Sequence, residues 1–103
     1  MRILLACALG CTTSLMVERM KQNASPDDVI EAHSVNEIQN IFTNYDVVIL
    51  GPQVRLQFEN IKTMCEKENV KVGMIDITAY GRMDGKKVLA QAQSLIEGET
   101  RNE

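Results

Sequence analysis

The chain has 103 residues, 45% of them apolar and 24% charged, with a formal net charge of −3. That is the size and balance of one globular domain rather than a disordered segment. An acidic excess without a block of Lys and Arg argues against a nucleic-acid partner, and no apolar run approaches the roughly 20 residues of a membrane-spanning helix.

Leu4-Leu5-Ala6-Cys7 superficially resembles a lipoprotein cleavage site, but only three residues precede Leu4. That is too few for a charged region followed by an apolar region of roughly 7–15 residues, so Ile3–Ala6 reads as a first strand. A helix from Thr12 to about Asn23 follows and ends before Pro26-Asp27-Asp28. Val29–His33 is the second apolar run. Ser34, with Glu37 three residues on, has a capping-box pattern and predicts a helix to about Phe42. Asp46–Leu50 is the clearest strand, β-branched, continuous and stopped by Gly51-Pro52. Val54, Phe58, Ile61 and Cys65 fall on one face of a third helix. Val70–Ile75 is the fourth strand. Val88, Ala92, Leu95 and Ile96 make the stripe of a fourth helix, which Asp84 with Gly85 is expected to cap. The polar tail from Gly98 is expected to fray.

This alternation predicts one α/β domain over residues 1–103, a three-layer sandwich with a parallel sheet, right-handed crossovers and helices on both faces. Such sheets bind ligands beyond the carboxyl ends of their strands. With the first strand central, that point is the loop Cys7–Thr13.

The segment Cys7-Ala8-Leu9-Gly10-Cys11-Thr12-Thr13-Ser14 puts a thiol at the start of the loop, a glycine in its middle and hydroxyls at its end. A loop wrapping into a helix N-terminus makes an anion nest and favours the nucleophilic thiolate form of a cysteine. Gly10 allows a turn with positive φ, and Thr12, Thr13 and Ser14 either cap the helix or donate to phosphate oxygens. The bland alternative makes Cys7 a buried small apolar residue and the hydroxyls ordinary caps. Cys11 reads as a packing residue or as a redox partner of Cys7, and Cys65 as core.

Three cysteines without a second Cys/His cluster, and His33 as the sole histidine, suit thiols better than a disulfide framework or a metal site. His33 has no acid or cysteine immediately beside it in sequence and reads as structural. Cysteine-dependent phosphatases place an arginine six residues after the nucleophile, where it forks onto the phosphoryl oxygens. Here that position is Thr13. A loop that binds phosphate without that cation suits a carrier better than a hydrolase.

At this loop the sequence resembles the B component of the bacterial sugar phosphotransferase system, lactose/cellobiose class, which carries a Cys-x-x-Gly-Met-Ser-Thr-Ser-like loop. Cys7, Gly10, Thr13 and Ser14 match, while Cys11 and Thr12 replace the usual Met and Ser. Asp46–Val54 is similar to the family's third strand and Gly-Pro-Gln turn, and Tyr80-Gly81-Arg82-Met83-Asp84-Gly85 to its Tyr-Gly-x-x-Asp-Gly segment. The resemblance implies a four-stranded parallel sheet of order 2-1-3-4, like low-molecular-weight tyrosine phosphatases. It implies that Cys7 accepts a phosphoryl group from phosphohistidine of the A component (IIA) and passes it to a sugar held by the membrane-embedded C component (IIC). It implies a cytoplasmic protein with no cofactor, and residues Ala8 to Ser14 as the phosphate nest. Gly51-Pro52-Gln53 reads as a plain strand-to-helix turn or as a partner-docking element. Tyr80, next to Gly81, reads as docking surface or as an ordinary half-buried aromatic. Asp76 sits where the phosphatases hold an acid, but its strand-end position favours a structural hydrogen bond. The rival readings are a low-molecular-weight-type phosphatase or arsenate reductase, and a non-catalytic anion-binding module.

Overall fold

Near-continuous apolar runs become parallel strands when both faces are covered, and the four runs here do so. The computed structural model describes residues 1–7 and 11–97, the side chains of residues 11–14 and of Gln53 excepted. The strands are β1 (Arg2–Cys7), β2 (Val29–Ser34), β3 (Val47–Leu50) and β4 (Lys71–Met74). They form one sheet of order β2-β1-β3-β4, with every pairing parallel. The central position of β1 explains its composition: Ile3, Leu4, Leu5 and Ala6 are all buried, because neighbours flank the strand and layers cover both faces.

The strand period of two divides these residues between two cores. Ile3 and Leu5 join Ile49 under α1 (Cys11–Lys21) and a long C-terminal helix, which contribute Met16, Val17 and Met20, and Val88, Leu89 and Ala92. Leu4 and Ala6 join Val48 and Leu50 on the opposite face. There Ile61 and Cys65 of α2 (Phe58–Lys67) and several short 3-10 segments close the layer. The remaining helices are α3 (Ile77–Gly81) and α4 (Gly85–Glu97).

Three sequence expectations change. The capping box at Ser34 does not start an α-helix. Ser34 ends β2, and its Oγ accepts from the N–H of Asn36, two residues on. The carboxylate of Glu37, the other half of the box, lies 3.3 Å from His33 Nδ1. With both halves committed elsewhere, the crossover is made of two 3-10 turns, Ile38–Asn40 and Phe42–Asn44. Asn40, Thr43 and Asn44 suit such turns, since their side chains compete with helical backbone bonds. The third helix is likewise split. Pro52–Gln57 is 3-10, with Val54 at φ −117°, and α-helix begins at Phe58. The third change is an addition. Asp76 caps the unanticipated α3, accepting from the N–H groups of Thr78 and Ala79 at 2.9 and 3.2 Å. Met83, in the left-handed region at φ 53°, ends it, with the Asp84 N–H on the Ala79 carbonyl.

Asp84 then caps α4 by accepting from the Lys87 N–H at 3.1 Å, as the sequence suggested. Gly85 has a different reason to be glycine. A Cβ built there would lie 2.3 Å from the Arg19 carbonyl carbon and 2.5 Å from the Met20 nitrogen. Its bare backbone lets α4 rest directly on the last turns of α1. The predicted frayed tail, 98–103, lies outside the described residues.

Candidate functional site

The carboxyl edge of the sheet is built by hydrogen bonds that carry strand pairing one residue further. The Cys7 carbonyl accepts from Val35 N–H at 2.7 Å, Ala6 from Gly51 at 2.8 Å and Leu50 from Ile75 at 2.9 Å. These fix where the chain leaves β2, β3 and β4, and the first two flank the end of β1. Cys7 is the last residue of that central strand, opposite Ser34, and only 4% exposed. It thus sits at the mouth, below its rim.

Four residues on, at Cys11, the chain is helical. α1 starts at Cys11, so its N-terminus opens on the edge that holds Cys7, and the first-turn N–H groups of any α-helix lack intrahelical partners. Of the expected nest, Ala8, Leu9 and Gly10 lie outside the described residues. Cys11, Thr12, Thr13 and Ser14 are described as helix backbone only.

Gly51 is buried, at φ −71°, in a region open to any residue, and Pro52 begins the 3-10 segment. This is a turn tied to β1 through Gly51 N–H, and the Gln53 side chain lies outside the description. Tyr80 is half-buried and packs against the α1/α4 core, while Gly81 is exposed. Asp76 spends its carboxylate capping α3, and its own N–H donates to Gln91 of α4. It therefore serves structure at this edge, as its strand-end position suggested.

Cys65 and His33 have surroundings of their own. Cys65 is fully buried in the second core, and burial, assisted by the neighbouring Glu66 carboxylate, pushes its thiol up to about 11. His33, on β2 opposite Ala6, is not without acidic neighbours. Glu37 approaches Nδ1 at 3.3 Å and Glu31 approaches Nε2 at 3.8 Å. Glu31 also accepts the hydroxyl of the buried Tyr45. Burial first, then that hydrogen bond and the nearby negative charge, push the Tyr45 phenol up to about 12, against the opposing Arg2 guanidinium. Arg2 stacks 5.6 Å from the Tyr45 ring. The group ties β1, β2 and the turn before β3 together.

Among the described residues, no three His, Cys, Asp or Glu side chains are arranged to hold a metal ion, and no helix is long and apolar enough to cross a membrane. Three exposed apolar side chains on the segments leaving this edge escape the sequence reading: Leu15, Leu56 and Ile77. Leu56 gave one signal, since it falls off the apolar stripe through Val54, Phe58 and Ile61.

Comparison with known proteins places this geometry. The profile of a family described as "PTS system, Lactose/Cellobiose specific IIB subunit" matches residues 2–91. The chain is 36% identical over 98 residues to the oligo-beta-mannoside-specific EIIB component of Bacillus subtilis, spanning 92% of this chain and 95% of the relative. It is 37% identical over 102 residues to the cellobiose-specific EIIB component of Lactococcus lactis, spanning 91% and 94%. A solution structure of a cellobiose-specific IIB component from Borrelia burgdorferi superposes with a TM-score of 0.77 at 30% identity, over 95% of this chain and 93% of that one. The lactose-specific IIB domain from Streptococcus pneumoniae reaches 0.82 at 19% identity, over 92% and 96%, a likeness of fold. With fold and sequence in agreement, the chain belongs to the lactose/cellobiose-class IIB components of the sugar phosphotransferase system.

Proposed function

We propose that Cys7 is the residue on which this sugar phosphotransferase component carries its phosphoryl group. The observation that supports it best is the place of Cys7, at the end of the central strand and four positions before the first residue of a helix. In the first step the Cys7 sulfur attacks the phosphorus of phosphohistidine on the A component. The P–N bond breaks, an S–P bond forms, and the released imidazole takes up a proton. In the second step a sugar hydroxyl oxygen attacks phosphorus, the S–P bond breaks, and the hydroxyl proton leaves to solvent. The sulfur returns as thiolate.

Backbone N–H groups from Ala8 to Ser14, with the hydroxyls of Thr12, Thr13 and Ser14, hold the phosphoryl oxygens in this reading. The donor is the A component, and the acceptor is a β-linked sugar of the lactose, cellobiose or chitobiose type, presented by the C component. The protein works in the cytoplasm and visits the inner face of the membrane when docked on the C component. No cofactor takes part. A phosphatase reading lacks the arginine that would stand at Thr13.

Incubation with labelled phosphoenolpyruvate, the general phosphotransfer proteins and the A component tests the proposal. Label is expected on Cys7, retained until a sugar-loaded C component is added. Label on another residue, or steady release of inorganic phosphate without acceptor, refutes it.

A further inference from the structure

The charges of this chain are not spread evenly. Its formal net charge is −3, yet a cavity of about 300 Å³ between the end of α1 and the start of α4 is walled by Arg19, Arg82 and Lys86, with Gln22, Asn23 and Asp84 beside them. Two backbone features bring these residues together. The close approach at Gly85 lays the start of α4 on the Arg19–Met20 backbone, so Arg19 and Lys86 line one space although they are far apart in the chain. The positive φ at Met83 turns the chain between Arg82 and Asp84, and both side chains join the same lining. Arg19 lies two turns into α1, which begins at Cys11. At 1.5 Å per residue that is about 12 Å along the axis, so the cavity stands apart from the helix end that faces Cys7.

The acids nearby do not neutralise it. Among the described residues Asp84 is the one carboxylate of the lining, and it also accepts from the Lys87 N–H. Three cations against that carboxylate leave an excess of two positive charges. Glu18, next to Arg19 in sequence, lines a different groove with Ile30 and His33. Asp28, in the loop after α1, is paired with the N-terminal ammonium at 3.2 Å. Arg19, Arg82 and Lys86 are exposed, and none is in an ion pair among the described residues. A concavity lined by one sign of charge concentrates counter-ions.

We propose that this cavity is a binding site for the phosphate monoester of a polyol. The excess positive charge matches a monoester dianion. Arg19 and Arg82 carry guanidinium forks, which hold phosphate oxygens in pairs, and Lys86 adds a point charge. Gln22 and Asn23 offer carboxamides to the hydroxyls. Asn23 Nδ2 donates to the Arg19 carbonyl at 3.2 Å, which leaves its Oδ1 as an acceptor. The volume is at the small end of the roughly 300–1,000 Å³ usual for small-molecule sites. None of the exposed large apolar side chains, Leu15, Leu56 and Ile77, lines it. A membrane phospholipid would find no apolar anchor there, which favours a soluble ester. The site uses none of the residues assigned to phosphoryl transfer, so it is independent of the carrier reading.

The test is an NMR titration of the nitrogen-labelled protein with glucose 6-phosphate. Glucose, inorganic phosphate, sulfate and vesicles containing anionic phospholipid are separate arms. The ester is expected to shift the amides of residues 19–23 and 82–86 saturably and to bind more tightly than inorganic phosphate, while glucose shifts none of them. Arg82→Gln and Lys86→Gln, each shown to fold by circular dichroism, are expected to weaken binding roughly tenfold, the loss of one charge-assisted hydrogen bond. Lys67→Gln, exposed on α2 across the sheet, and Cys7→Ser should bind as wild type does. Added salt should weaken the binding. Shifts confined to residues 7–14 would put the anion at the carrier loop and overturn the inference. Equal affinity for ester, phosphate and sulfate would mean a bare cationic patch and overturn it too. Binding to vesicles alone, no saturable shift, or Arg82→Gln and Lys86→Gln proteins that bind like wild type would do the same.

Discussion

Gly85→Ala isolates a single close approach. The added Cβ would stand 2.3 Å from the Arg19 carbonyl carbon, 2.5 Å from the Met20 nitrogen and 2.6 Å from the Arg19 oxygen. These are backbone atoms, so no side-chain rotation relieves the overlap. Carbon contacts are favourable at about 3.5–4.0 Å, so α4 must move from α1 by about 1 Å. That loosens the core of Met16, Val17 and Met20 against Val88, Leu89 and Ala92. Overpacking of this kind costs about 1–3 kcal/mol. Against it, Ala is favoured over Gly by at most about 1 kcal/mol in a helix interior, and by less at the first position. The expected net loss is about 1–2 kcal/mol. For a chain of this size that lowers Tm by roughly 5–15 °C, readable by calorimetry and by the urea midpoint at unchanged slope. Gly81→Ala is the matched control, since nothing lies within 4 Å of its Cβ position. A Gly85→Ala protein as stable as wild type would mean that the two helices do not touch here.

The other predictions concern the site and the tyrosine. Cys7→Ser should fold and lose phosphoryl acceptance altogether, while Cys11→Ser keeps most of it. Labelling with phosphoenolpyruvate and mapping the labelled peptide checks both. Phosphorylated Cys7 should persist for minutes or longer in buffer and discharge on adding the A component, because no guanidinium supports attack by water. Thr13→Arg should shorten that lifetime, followed by phosphate release. Tyr45 keeps its proton in the folded protein up to about 12 and in the unfolded chain only to its ordinary 10. Its contribution is therefore complete below pH 10 and is lost as pH rises towards 12. Between pH 9 and 11.5, urea melts should show wild type losing about 1–2 kcal/mol more than Tyr45→Phe. Equal losses would show that the fold, by burial and by Glu31, does not raise the phenol.

The sheet was legible because its signal is strong and local. Ile3–Ala6 and Asp46–Leu50 are apolar throughout, as only doubly covered strands are, and the segments between them set the parallel order. The second crossover was not legible. Ser34 and Glu37 have the spacing of a capping box, but β2 runs on through Ser34, and Glu37 turns to His33. Both facts depend on strand pairing that no local pattern encodes. The acidic surroundings of His33 escaped for a related reason: Glu31 and Glu37 flank it in space through strand pleat and turn, not through adjacency. Gly85 was read as part of a cap. Its stronger constraint, the Arg19–Met20 backbone, lies more than sixty residues earlier in the chain. At the mouth, Cys7 was legible from the strand order together with the glycine and hydroxyls of the loop that follows it, while Leu56 stayed unnoticed because exposure is a property of the fold.

The unequal covering of the two sheet faces sets how the molecule opens. One face is held by α1 and α4, helices of 11 and 13 residues, the other by α2 and by 3-10 segments that turn before β3 and after it. Short 3-10 turns protect few amides and bury few side chains per residue. Amide hydrogen exchange should therefore be graded across the sheet. The segments Ile38–Asn44 and Pro52–Gln57 should exchange through small local openings, and the amides of β1 only on global unfolding. The Leu56 side of the mouth then belongs to the most readily opened layer, while Cys7 is anchored in the most protected strand: a fixed nucleophile beside a rim that can adjust to its partner.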